Sequence, residues 1–103
     1  MLFNISTRQV NVIFGAWKSG KVEADKQIID TMYTMVRNQG RDGSTYLLRK
    51  MDKAIRGAIE AIFGGDFAKA QECIEAFAQA DAESRREWAE IEARKARFAA
   101  TVA

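Results

Sequence analysis

Apolar positions recur along this chain every three or four residues, the spacing of helices with one buried side. The stretch "NISTRQVNVIFGAWKSGK" opens the pattern with Val10, Ile13, Phe14 and Trp17. Ahead of them Ser6 stands three residues before Gln9, the spacing of a capping box, and Ile5 is placed to staple onto Val10. Ser19-Gly20 closes the segment, so a first helix is predicted from about Thr7 to Lys18. A second is predicted from Val22 to Asn38, with Ile28 or Ile29, Met32, Met35 and Val36 on its buried side and Gly40 free to take the left-handed conformation that ends many helices. The third carries the cleanest stripe: Tyr46 or Leu47, then Leu48, Met51, Ile55, Ile59 and Ile62, stopping at "FGG".

Asp66 caps the last segment, a run without glycine or proline. Its seam steps by three and four through Phe67, Ala70, Ile74, Phe77, Asp81, Ser84, Trp88, Ile91, Lys95, Phe98 and Val102, a heptad pattern interrupted by Asp81 and Ser84. Two architectures satisfy it. Either one long helix projects from the body, or "QADAES" bends and a fifth helix, capped near Asp81, folds back. The predicted fold is therefore all-α, a single domain over residues 1–103 built as a small bundle of four to five helices with a long C-terminal helix.

Composition sharpens this picture. The 103 residues are 48% hydrophobic and 29% charged, which fits one folded domain and neither disorder nor a membrane protein. Proline is absent and glycine numbers seven, so little interrupts helices. Cys73 is the single cysteine, read as a small packed residue, and it excludes an internal disulfide. "MLFNIS" lacks the basic and apolar regions of a targeting signal, and the predicted location is cytoplasmic. With no histidine the chain lacks the usual general base near neutral pH and the commonest transition-metal ligand. The carboxylate pairs Glu72/Glu75 and Glu87/Glu90 have no accompanying Glu-x-x-His, and read as solvated helix faces.

The net charge is only +2, but it is unevenly spread: residues 1 to 53 carry +4 and the remainder −2. Any polyanion or acidic surface would therefore meet the first half, where "RNQGRDGSTYLLRKMDK" sets Arg37, Arg41, Arg49, Lys50 and Lys53 around two glycines, with Arg56 one turn on. A helix N-terminus there would favour an anion. The stretch lacks P-loop spacing, however, and Gly40 closing one helix with Asp42 or Ser44 capping the next accounts for it first.

Two stretches carry resemblances. "ISTRQVNVIFGAWKSGK" superficially resembles the first helix of response-regulator DNA-binding domains, which would imply two short helices next, the second entering the major groove. The next element is instead one long apolar run, "IIDTMYTMV", with Glu23, Asp25 and Asp30 along it. "GGDFAKAQECIEAF" is similar to the turn and second helix of a tetratricopeptide repeat, which would imply a helical hairpin with a protein-binding surface. One such unit can be drawn, and Ala54 and Gly57 stand where that family has large residues.

Trp88, Ile91 and Phe98 are the most informative candidates, since an apolar seam left in water is an association site. If the last segment folds back they pack internally, with Leu2 and Phe3 at the other end of the chain as further apolar residues to cover. The expected function is that of a non-enzymatic protein without cofactor or metal, a regulator or inhibitor acting by protein-protein interaction, with Trp88, Ile91 and Phe98 binding a protein partner or a second copy in a homodimer. In size and in lacking catalytic groups the chain resembles phage-encoded inhibitors such as anti-CRISPR proteins. The alternative is a nucleic-acid-binding regulator using Arg37, Arg41, Arg49, Lys50, Lys53 and Arg56 against phosphates. No membrane partner is expected.

Overall fold

The computed structural model describes residues 5–37 and 46–102, which form four α-helices and no strand among the described residues. α1 spans Thr7–Lys18, α2 Lys26–Arg37, α3 Tyr46–Phe63 and α4 Phe67–Val102.

The start of α1 is the reciprocal capping box that its sequence predicts. Ser6 Oγ accepts from the Gln9 N–H at 3.3 Å, and Gln9 Oε1 accepts from the Ser6 N–H at 2.8 Å. Ile5 and Val10, the staple, are both buried. Its end is a Schellman closure, in which the Gly20 N–H reaches the Trp17 carbonyl at 3.1 Å and the Lys21 N–H the Ala16 carbonyl at 2.9 Å. Gly20 sits at φ +77°, where a side chain would be strained. The same closure ends α3: Gly65 at φ +76° donates to Ile62 and Asp66 to Ala61. The chain then restarts at once, with Asp66 Oδ1 accepting from the Lys69 N–H at 3.1 Å as the cap of α4.

α2 begins four residues later than its apolar pattern predicts. Val22 is buried, but as part of a non-helical connection, and the Asp25 carbonyl accepts the first helical bonds from Ile28 and Ile29. The Gln71 amide on α4 holds that connection: its Oε1 accepts from the Glu23 N–H at 2.6 Å and its Nε2 donates to the Glu23 carbonyl at 2.9 Å. A distant side chain thus supplies the backbone partners that a helical turn would have supplied. Asn38 and Gly40, predicted to end α2, lie outside the described residues, as do Leu2 and Phe3.

The core collects Val10 and Ile13 of α1, Ile29 and Met32 of α2, Met51, Ile55 and Ile59 of α3, and Ala70, Ile74, Phe77 and Ala80 of α4. The two open choices resolve toward Ile29 and Leu47, while Ile28 is half-buried and Tyr46 is exposed. α3 packs most extensively against α4, and α1 lies against both α2 and α3. Small residues make the α3–α4 approach close: a Cβ built on Gly57 would lie 2.9 Å from Cys73 Sγ. That is why Ala54 and Gly57 stand where a tetratricopeptide unit has large residues.

α4 is one continuous helix of 36 residues, so the bent, five-helix alternative does not occur among the described residues. At 1.5 Å per residue it is about 54 Å long, close to the 57 Å longest dimension of the molecule. The radius of gyration, 15.9 Å, exceeds the roughly 13 Å of a compact chain of this length. The excess is the outer half of α4, which leaves the body behind.

Candidate functional site: an exposed helical arm

The seam of α4 meets two environments. Phe67 is half-buried; Ala70, Ile74, Phe77 and Asp81 are buried, and Ser84 is half-buried. Every residue from Arg85 to Thr101 is exposed. Trp88 is 61% exposed and Phe98 72%, with Ile91 at 39%, although their spacing continues that of Phe77, which is fully covered. Trp88, Ile91 and Phe98 thus share one exposed stripe on the outer half of α4.

The polar break in the seam marks where the body ends. Asp81, 7% exposed, holds Arg85 through an Oδ2–Nε contact of 3.0 Å one turn further on. Arg85 in turn reaches across to α2, donating to Thr31 Oγ1 at 3.5 Å. With its amide oriented oxygen-inward, Gln27 accepts from both terminal guanidinium nitrogens, at 3.0 and 3.2 Å. Asp81 and Ser84 therefore do not bend the helix. Asp81 instead holds Arg85 against α2, and the charge that the seam pattern registered as an interruption is part of a tether for the first turns of α2.

A feature that hydrophobic periodicity does not single out is the division of charge along the arm. Beyond Arg85 and Arg86 at its base, Glu87, Glu90 and Glu92 precede Ala93, and Arg94, Lys95 and Arg97 follow it. Reading charge order along this segment would have found it, because the blocks are contiguous and of opposite sign.

The basic set is dispersed by comparison. Arg37 is exposed at the end of α2, and Arg41 lies outside the described residues, along with most of the loop predicted to cradle an anion. Arg49, Lys50, Lys53 and Arg56 are exposed on α3. Lys50 Nζ lies 4.7 Å above the Tyr46 ring, and Arg56 Nε pairs with Asp52 Oδ2 at 3.1 Å. Lys50, Lys53 and Arg56 border a groove of about 780 Å³ between α3 and α4, floored by small residues such as Ala54, Gly57 and Ala80. The rim also carries Glu60, Asp66 and Glu83, so it presents both signs rather than a uniform positive field.

Cys73 is half-buried against Gly57. Among the described residues no cluster of three or more Cys, Asp or Glu is placed to hold a metal ion, and no helix is long and apolar enough to cross a membrane. No protein-family model, curated protein or solved structure matches this chain. The functional reading accordingly rests on the geometry of the arm and of the basic face.

Proposed function

We propose that this protein is a non-enzymatic binding protein, a small regulator or inhibitor of a larger assembly, that engages a protein partner through the outer half of α4. One observation carries the reading: the heptad seam continues for about five turns beyond the body with Trp88, Ile91 and Phe98 uncovered. Most helical stability in proteins comes from packing an apolar face, and an isolated helix of this length is marginal in water. A partner that covers the stripe would both order the arm and bury two large aromatic side chains, the residue type that dominates binding energy at interfaces. The charged residues flanking the stripe would then set partner choice and orientation more than affinity.

The nucleic-acid reading has weaker support. Arg49, Lys53 and Arg56 share one exposed face, but Arg56 is tied to Asp52 and the adjoining rim is of mixed sign. The test is affinity capture from host lysate with and without nuclease, using the wild type beside Trp88→Ala/Phe98→Ala and Arg49→Glu/Lys53→Glu. A stoichiometric protein that survives nuclease, is lost with the aromatic pair and is retained by the charge variant supports the arm. Capture that disappears with nuclease and with the Arg49/Lys53 variant, while the aromatic pair is indifferent, transfers the function to the basic face.

A further inference from the structure

The covered and uncovered stretches of α4 leave a specific question, namely what occupies the arm. Resting on the protein-binding reading above, we infer that the occupant is a second copy of this chain, its arm lying antiparallel with the two-fold axis beside Ala93.

Two independent features of the arm place that axis. The first is charge. Glu87, Glu90 and Glu92 lie on one side of Ala93 and Arg94, Lys95 and Arg97 on the other. An antiparallel copy therefore sets acidic block beside basic block on both sides of the axis, with Arg85 and Arg86 level with the uncharged Thr101 and Ala100, whereas a parallel copy sets acid on acid and base on base, a destabilising arrangement. The second is the apolar stripe. Reversed about Ala93, the seam maps onto itself: Trp88 comes level with Phe98 of the second copy, Ile91 with Lys95, and Ser84 with Val102.

This arrangement also accounts for Lys95, a charged residue in an otherwise apolar stripe. Its methylene stem packs beside Ile91 of the second copy while its ammonium reaches the acidic block, the usual compromise of a lysine at an apolar contact. In a parallel pair Lys95 would meet Lys95. Antiparallel pairing further keeps the two bodies at opposite ends, where neither obstructs the other.

The test uses the purified full-length chain. Sedimentation equilibrium over a wide concentration range should show a monomer–dimer equilibrium, and Trp88→Ala should weaken it about tenfold or more. Arg94→Glu/Lys95→Glu/Arg97→Glu and Glu87→Lys/Glu90→Lys/Glu92→Lys should each be monomeric with helical content retained, and mixing the two should restore a dimer. Orientation is read from nitroxide pairs placed at Ala93 or Ala100 in a Cys73→Ser background. The antiparallel pair offsets the two labels by about 21 Å along the axis at Ala100 and by none at Ala93, so the Ala100 distance should be the longer. Equal distances at the two sites would overturn the inference in favour of a parallel pair, and a wild type that stays monomeric at every concentration would overturn it outright. In that second case, capture of a different protein through Trp88 and Phe98 would leave the protein-binding reading standing, and its absence would remove both.

Discussion

The two halves of α4 carry one repeating pattern and have opposite fates. In the inner half, Phe77 is enclosed by side chains from the rest of the bundle; in the outer half, Phe98 continues the same seam in open water. Helical spacing thus specifies which side of a helix is adhesive, and the rest of the chain decides whether that side is covered. α1, α2 and α3 are 12, 12 and 18 residues long, and α4 is 36. The shorter helices run out of length before α4 does, and the excess is an arm.

The sharpest way to break this comparison is to truncate the equivalent ring in each half. Phe77→Ala empties a site that is 0% exposed, and such deletions cost about 3–5 kcal/mol. Phe98→Ala removes a side chain that is 72% exposed, so the stability of the monomer should change by no more than about 0.5 kcal/mol. Urea denaturation of both variants, at concentrations where the wild type is monomeric, checks the contrast. Similar losses would mean that the outer half is covered within one chain after all.

The boundary between the halves has its own asymmetry. Arg85→Ala leaves the buried Asp81 carboxylate without its partner, at a cost of about 1–3 kcal/mol. Asp81→Ala leaves an arginine that already faces solvent, and should cost about 1 kcal/mol or less. The denaturation midpoints should fall in that order. The reverse order would show that the Asp81 carboxylate contributes more to the folded body than Arg85 does through its pairing and its contacts with α2 together.

Much of this was legible in the sequence. The capping box at Ser6 and Gln9, the Asp66 cap and the glycine closures are local chemistry, so spacing alone locates α1 and the α3–α4 turn. The start of α2 was not, because it depends on Gln71, which is 48 residues away from Glu23 in the chain. Whether the seam is covered was likewise open, since that depends on how far three other helices reach along α4. Trp88, Ile91 and Phe98 were found by their type and spacing; the charge division about Ala93 was equally present but carries no hydrophobic signal. Arg49, Lys53 and Arg56 fall on one exposed face as their spacing implies, while Asp52 at i−4 from Arg56 is the intrahelical partner that dilutes them.

A smaller effect probes why the inner half is covered so closely. Gly57→Ala would gain about 1 kcal/mol of helix propensity, but its Cβ would press on Cys73 Sγ at 2.9 Å. In a Cys73→Ala background the sulfur is gone and only the Cβ, 4.0 Å away, remains. Gly57→Ala should therefore be more favourable in that background than in the wild type. A double-mutant cycle with no coupling between the two positions would mean that Cys73 simply rotates aside.

The smallest effect concerns α1 and α2, which help to cover the inner half. The Tyr33 hydroxyl donates to Asn11 Oδ1 and its ring meets the edge of Phe14, with centroids 6.4 Å apart. Burial raises the Tyr33 hydroxyl above its ordinary pKa of 10.0, so the folded state holds this proton more tightly than the unfolded chain does. The contribution is therefore fully present below pH 10.0 and is lost as the pH rises toward the higher folded value. Tyr33→Phe should cost about 0.5 kcal/mol at neutral pH and should flatten the alkaline decline. The two tryptophans separate the regions in the same titration: with Trp88→Phe the fluorescence follows Trp17, half-buried beside Phe14 in the body, and with Trp17→Phe it follows the arm. The Tyr33 effect should appear in the Trp17 signal and be absent from that of Trp88. Equal response of both reporters would show that the arm and the body unfold as one unit, and that the difference between the halves of α4 is one of exposure without a difference in stability.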